Sequence, residues 1–315
     1  MRMITSFRRL FLAMAGLVLY TFAQPAQAQE MLPFGYNIGL QAVSLDTMQA
    51  SKAAGVGFIE VSFGVYIDTK TREFKVSEAD ILKDVYAAKK AADSAGVVIY
   101  SVHMPFSQFI DISLTDEGER QAVIDLHKKV LEYCRILEPK VILFHPSWYL
   151  GLNEREARKQ SFVRSATELN EAVKSIHALM VIENMLGPNL LVNKEGKYER
   201  PLCRTVEETV EVMGRLPEDI YSAIDMNHIK NPEKLILAMG ERLKHVHIAD
   251  GDGEAERHYF PCSGKGENDW NAILDALYQV KYSGVFLFES KPAQVEDYQT
   301  CYTAMHQAYL ESKKQ

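Results

Sequence analysis

The chain has 315 residues and carries 42 acidic against 35 basic side chains, which gives a formal net charge of −7. An acidic protein repels nucleic-acid phosphates and anionic lipids, so the composition argues against nucleic acid or a membrane surface as a partner. The length suits a single α/β barrel domain.

The first predicted element is a leader at residues 1–28. It has a basic start with three arginines, an apolar run at residues 10–22 and the small-residue triplet AQA, which ends at Ala28. This order is typical of a cleavable signal peptide, and the apolar run is too short to span a bilayer. We expect cleavage after Ala28 and export, which places the protein in the periplasm of a cell with two membranes. A leader that stays attached as an anchor is the alternative.

Removal of the leader would leave 32 basic and 42 acidic residues, a net charge of about −10. No second long apolar run follows, so we expect no membrane contact after cleavage.

Residues 29–315 alternate short β-branched runs with longer helical patterns. Eight strands are expected, at residues 36–43, 57–63, 97–104, 140–146, 179–184, 220–225, 243–250 and 284–290. Apolar residues at i, i+3 and i+4 predict helices between them, for example at 116–137 and 154–179. Eight βα units without a break in composition predict one (β/α)₈ TIM barrel. An open doubly wound sheet is the alternative, but no GxGxxG motif follows the first strand.

The cysteines are few and widely spaced, at Cys134, Cys203, Cys262 and Cys301. They form neither a disulfide framework nor a CxxC zinc doublet. We expect mostly buried or free thiols, with room for one disulfide.

Polar side chains lie at the ends of six of the eight strands. In a (β/α)₈ barrel these ends form the active-site face. The residues are His103, His145, Glu183, Asp225, His247 with Asp250, and Glu289. One such residue alone is more often structural, but several carboxylates at one mouth repel one another unless a cation lies among them. The mixture with histidine suits Mn²⁺, Co²⁺ or Zn²⁺.

His245 and His247 lie two residues apart in one strand, so both side chains are expected to point into the barrel. His247 lies nearer the mouth and is predicted to bind the metal. His245 lies deeper and is expected to be a hydrogen-bonded core residue or to support the ligands.

Other polar and aromatic residues have less specific interpretations. Asp269 is expected to cap the helix that follows it. Phe106 and Trp148 follow two of the strand-end histidines, and either stack on a bound ligand or pack on neighbouring loops.

The ordered motifs SVHMPF, LFHPSW, VIENML, AIDMNH, HVHIAD and FLFES resemble those of the xylose isomerase-like barrel superfamily. That group includes sugar isomerases, D-tagatose epimerase-like enzymes, inositol-pathway dehydratases and endonuclease IV. Its epimerase branch implies one divalent ion held by Glu183, Asp225, His247 and Glu289, with Glu183 and Glu289 as the catalytic pair. The expected substrate contacts are His103, His145, His228, Arg257 and His258.

The resemblance implies an isomerase or epimerase acting on a small-molecule carbohydrate through a metal-stabilised enediolate. One glutamate would remove the proton next to the carbonyl, and the other would return it. The sequence is compatible with a monomer or a homo-oligomer.

Three alternatives use the same residues. Loss of a β leaving group would make the protein a keto-sugar or keto-glycoside lyase or dehydratase. Resemblance to the endonuclease branch implies a multi-zinc phosphodiesterase. In this chain, however, Glu256 replaces the aspartate of that branch's Asp-Arg-His triplet. Export and the acidic net charge also argue against DNA as the substrate. A non-catalytic sugar-binding barrel is the third, and the pair of glutamates argues against it.

Overall fold

Eight parallel strands close into a barrel in the computed structural model. They are β1 Phe34–Gly39, β2 Phe58–Ser62, β3 Val98–His103, β4 Val141–Phe144, β5 Leu179–Glu183, β6 Ile220–Asp225, β7 Leu243–Ile248 and β8 Phe286–Phe288. Neighbours in the chain pair with one another, and β8 pairs with β1. The predicted (β/α)₈ barrel is therefore confirmed.

The structure describes residues 29–148, 154–186, 191–192, 198–199 and 201–314. The leader predicted at residues 1–28 lies outside these ranges, so the signal peptide stays a prediction. A short antiparallel ribbon pairs Leu191–Val192 with Tyr198–Glu199.

One helix follows each barrel strand. They are α1 Leu45–Ala53, α2 Glu78–Ala95, α3 Glu117–Leu137, α4 Arg155–Ser175, α5 Val206–Gly214, α6 Pro232–Met239, α7 Trp270–Gln279 and α8 Glu296–Ser312. The predicted capping by Asp269 is confirmed, since its side chain accepts bonds from the backbone N–H groups of Asn271 and Ala272, each at 3.0 Å. None of the described helices is long and apolar enough to cross a membrane.

The element boundaries differ from the predicted ones by a few residues. The first strand ends at Gly39, because a 3₁₀ turn at Leu40–Ala42 follows it. The helix predicted at 154–179 ends at Ser175, and the positive φ of 61° at His177 turns the chain out of the helical path. These differences leave the polar strand ends in place.

Two irregularities in strand pairing determine which side chains lie level inside the barrel. Between β2 and β3 the register shifts by one residue, so that Glu60 lies opposite Ser101. A second shift between β6 and β7 places Asp225 opposite His247. Bulges of this kind re-aim side chains and are common next to active sites.

One disulfide links Cys262, in the loop after β7, to Cys301 in α8, 39 residues further along the chain. Cys134 and Cys203 are free and buried. The structure thus contains the single bridge for which the sequence left room.

Candidate active site

Four predicted metal ligands converge where β5 to β8 end. Glu183 and Asp225 are the last residues of β5 and β6, His247 is next to last in β7, and Glu289 directly follows β8. One ligand atom from each lies within 4.8 Å of the others. Nδ1 of His247 lies 2.8 Å from a Glu183 oxygen and 2.6 Å from a Glu289 oxygen. The structure therefore brings this set together, and its role as a metal centre stays a prediction.

The four residues fit a divalent cation by their chemistry. Glu183, Asp225 and His247 are almost completely buried. Oε2 of Glu183 lies 3.0 Å from Nε2 of His145, yet it accepts no well-aligned hydrogen bond from any described residue. A buried carboxylate oxygen without a donor is costly, and a cation would satisfy it. Three carboxylates with one imidazole form a ligand set that suits Mn²⁺, Co²⁺ or Zn²⁺.

The electrostatics of the site favour positive charge. Burial alone would raise the pKa of Glu183, but His247 and His145 outweigh it and hold that pKa well below the ordinary value. Burial opposes protonation of His247, yet Glu289 and other carboxylates raise its pKa well above the usual range. The carboxylates thus create a field that attracts either protons to the imidazoles or a cation.

His103 and His145 extend the cluster on the side of β3 and β4. Their rings lie 4.8 Å apart, and together with Glu183 they form a second group that could hold a metal ion. Burial lowers the pKa of His145 despite the nearby Glu183 carboxylate. The ring of Phe106 stacks on His145 with 4.0 Å between centroids. This contact fixes the plane of the imidazole.

A third group lies around Asp225. Nδ1 of His228 donates to the carbonyl oxygen of Asn184 at 2.9 Å, which turns its Nε2 towards an Asp225 oxygen at 3.3 Å and a Glu256 oxygen at 3.5 Å. Nε2 of His258 lies 3.0 Å from the same Asp225 oxygen. Although burial opposes protonation of His258, Asp225 raises its pKa to about 9.

A cavity of about 210 Å³ opens above these groups. Four apolar residues and six polar ones line it: Phe106, Trp148, Met185, Pro201, His103, His145, His228, Glu256, His258 and Glu289. Both aromatic residues that the sequence left undecided thus face the cavity as well as packing on each other, with 4.8 Å between ring centroids.

Four of the five predicted substrate contacts line this cavity, and Arg257 does not. The Arg257 side chain is 49% exposed and lies 3.8 Å from Asp252. Its backbone N–H points to the side-chain oxygen of Asn227, as does that of His258. The loop is therefore held so that His258 enters the cavity and Arg257 lies outside it.

Asp250, also near the end of β7, has a structural role. Its carboxylate accepts bonds from the backbone N–H groups of Gly251 and Asn268 and from the indole of Trp270. These bonds tie the loop after β7 to the start of α7.

Sequence reasoning missed Glu60, a fully buried residue in β2. Its carboxylate lies 3.1 Å from Nε2 of His245 and 3.0 Å from Nε2 of His247. The available signal was one acidic residue in the middle of the mostly apolar strand pattern GFIEVSF. The expectation that His245 is a hydrogen-bonded core residue is confirmed.

Comparison with known proteins identifies a family of barrel proteins and similar sugar epimerases. The family described as xylose isomerase-like TIM barrel matches residues 48–306. An L-ribulose 3-epimerase of Methylomonas sp. strain DH-1 is 29% identical over 116 residues, which are 35% of this chain and 38% of that enzyme.

Two solved structures share the fold. A D-tagatose 3-epimerase-like protein superposes with a TM-score of 0.67 at 18% identity, covering 89% of this chain and 99% of the other. The apo form of the 3-keto-D-glucoside 4-epimerase from E. coli superposes with a TM-score of 0.64 at 15% identity, covering 88% of this chain and 100% of the other.

Proposed function

Because the chain belongs to the xylose isomerase-like TIM barrel family, we propose that it is a divalent-metal-dependent isomerase or epimerase of a carbohydrate. The convergence of Glu183, Asp225, His247 and Glu289 carries this proposal. The names of similar proteins, an L-ribulose 3-epimerase and a 3-keto-D-glucoside 4-epimerase, support a sugar that contains a carbonyl group as the substrate.

The four converging residues would hold the cation. When bound, such an ion supplies a Lewis acid that makes the hydrogen next to a carbonyl more acidic and stabilises the resulting enediolate.

Glu183 and Glu289 are the groups that would move the proton. Both carboxylates reach Nδ1 of His247, so they flank the same point of the mouth. Glu289 also lines the cavity and is 19% exposed, which places it where a substrate would lie. One carboxylate would remove the proton, and the other would return it to the opposite face of the same carbon for epimerisation or to the neighbouring carbon for isomerisation.

The cavity favours a substrate of monosaccharide size. Its volume of about 210 Å³ is below the 300–1,000 Å³ common for sites that take drug-sized ligands. Phe106 and Trp148 offer apolar faces on which a sugar ring can stack. His103 and His258 lie on the polar wall and would contact its hydroxyl groups.

We also propose that the protein is exported. The leader pattern at residues 1–28 and the Cys262–Cys301 disulfide support this, because disulfides form and persist in oxidising compartments. Cell fractionation tests it: a protein shortened at Ala28 in the periplasm is expected, and a full-length protein in the cytoplasm would contradict export.

Metal removal and refilling test the enzymatic proposal. The purified protein is stripped with a chelator, refilled with Mn²⁺, Co²⁺ or Zn²⁺ and incubated with ketoses and 3-keto-glycosides. NMR of the products should show an epimer or isomer with a refilled protein and none with the stripped one. An unsaturated elimination product would instead identify a lyase. Tight sugar binding without conversion by any metal form would indicate a binding protein.

A multi-zinc phosphodiesterase is the second candidate, and one observation favours it. Besides Glu60–His245–His247, the groups His103–His145–Glu183 and Asp225–His228–His258 also have ligand atoms within 4.8 Å of one another. Three zinc ions per chain with hydrolysis of bis(p-nitrophenyl) phosphate would establish this function. We expect instead one tightly bound ion and no hydrolysis.

A further inference from the structure

Glu60 is a fully buried carboxylate in the middle of β2, and it contacts the His247 nitrogen opposite the one that faces Glu183 and Glu289. It does not line the cavity described above. A buried carboxylate is strongly unfavourable unless its partners compensate for the lost water. Its contacts must therefore account for its presence.

The Glu60 carboxylate has four partners, two for each oxygen. Asn37 donates to Oε1 at 2.8 Å and Ser101 to Oε2 at 2.7 Å. Nε2 of His247 lies 3.0 Å from Oε1, and Nε2 of His245 lies 3.1 Å from Oε2. With both oxygens saturated, the carboxylate is fixed in one orientation.

Strand register builds this arrangement. Asn37 in β1 and Ser101 in β3 are the pairing partners of Glu60 on either side. The shift in pairing between β2 and β3 matches Ser101, rather than Tyr100, with Glu60. The bulge thus supplies the hydroxyl that holds one carboxylate oxygen.

Glu60 determines which His247 nitrogen carries a proton. An ionised carboxylate only accepts hydrogen bonds, so Nε2 of His247 must be the N–H donor. In the neutral ring the lone pair then lies on Nδ1, which faces Glu183 at 2.8 Å and Glu289 at 2.6 Å. The opposite tautomer would point an N–H towards the cation site and prevent coordination.

We propose that Glu60 is a positioning residue that fixes the tautomer and ring plane of His247 for metal binding, and that Asn37, Ser101 and His245 hold Glu60 in place. This inference rests on the proposed metal-dependent function. It concerns metal affinity, however, so it can be tested without a substrate.

Cobalt titration of the full mature chain provides the test. Visible absorbance reports Co²⁺ binding to wild type and to Glu60→Gln, whose side chain has nearly the same size but one acceptor oxygen for two histidines. We expect Co²⁺ affinity to fall about 10- to 100-fold. Glu171→Gln is the matched control, since it makes the same substitution at an exposed carboxylate that pairs with Lys174 and lies outside the barrel; its Co²⁺ affinity should equal that of wild type. Equal affinity in wild type and Glu60→Gln would overturn the proposal.

Nitrogen-15 NMR of the wild-type histidine rings is the second measurement, and it holds even if Glu60→Gln fails to fold. The zinc-loaded protein should show His247 protonated at Nε2. A proton at Nδ1 of His247 would refute the positioning role. If wild type binds two ions and Glu60→Gln loses the second one, Glu60 is itself a metal ligand, which would also refute the positioning role. Cobalt affinity that falls as expected, in a protein that converts no sugar, would refute the proposed function and support this inference.

Discussion

His247 uses both ring nitrogens, and this separates it from His245 two residues earlier. Its Nε2 faces Glu60 at 3.0 Å, while its Nδ1 faces Glu183 at 2.8 Å. His245 also contacts Glu60, but its Nδ1 has no hydrogen-bond partner among the described residues. One histidine therefore connects the core to the mouth, and the other supports the core.

Alanine substitution of each histidine should give opposite results. His247→Ala should reduce bound metal from about one ion per chain to almost none, because it removes a ligand. His245→Ala should keep the ion and lose about 1–3 kcal/mol of unfolding free energy, because Glu60 loses a buried donor. Metal analysis and urea unfolding measure the two effects. Loss of the ion from His245→Ala alone would contradict these assignments.

His127 should make stability depend on pH. It is buried in α3 against Phe144, and its Nδ1 has no hydrogen-bond partner among the described residues. Burial lowers its pKa from 6.5 to about 3. Below pH 6.5 the imidazole is therefore protonated in the unfolded chain but stays neutral in the folded chain. The contribution of His127 to the free energy of unfolding is complete above pH 6.5 and is lost as the pH falls towards 3.

The size of this effect follows from linkage. Each pH unit below 6.5 costs about 1.4 kcal/mol, or about 2 kcal/mol by pH 5. Urea unfolding at pH 7.5 and pH 5 should show a loss in wild type that exceeds the loss in His127→Leu by that amount. Equal losses in the two proteins would show that His127 is protonated in the folded state.

At the scale of elements, the strands could be predicted from the sequence, but the contacts of Glu60 inside the barrel could not. Each strand is a short apolar run, and six of the eight carry an acidic or histidine residue at the end that faces the mouth. This pattern predicted Glu183, Asp225, His247 and Glu289 as site residues. Glu60 pairs with a residue 185 positions away, and that neighbour exists only once the barrel closes. Strict alternation along each strand also does not reveal a bulge, so the pairing of Glu60 with Ser101 could not be predicted.

The disulfide joins two elements, the loop after β7 and α8. It closes a segment of 39 residues, so its loss should cost about 2–4 kcal/mol of unfolding free energy. Cys301→Ser should show this loss in urea unfolding under oxidising conditions. In the presence of reductant the wild type should fall to the value of the variant. A wild type that does not change with reductant would contradict a stabilising bridge.

At the scale of the whole molecule, the alternation of strands and helices made the closed barrel predictable, since eight such units close in only a few ways. The substrate was not predictable in this way. The cavity wall depends on loop side chains such as Phe106 and Trp148, whose packing is set by neighbouring loops rather than by strand pattern. Arg257 shows the same limit, because the turn of its loop directs it away from the cavity.

Solvent-deuterium uptake tests the central claim, enediolate chemistry between Glu183 and Glu289, most directly. In D₂O the metal-loaded protein should place deuterium on the carbon next to the carbonyl of its sugar. Glu183→Gln and Glu289→Gln, compared at measured metal content, should slow this exchange about 10²- to 10⁴-fold. Glu171→Gln, an exposed carboxylate paired with Lys174, should not change it. Sugar conversion without deuterium uptake, or exchange at the wild-type rate in both variants, would contradict the account.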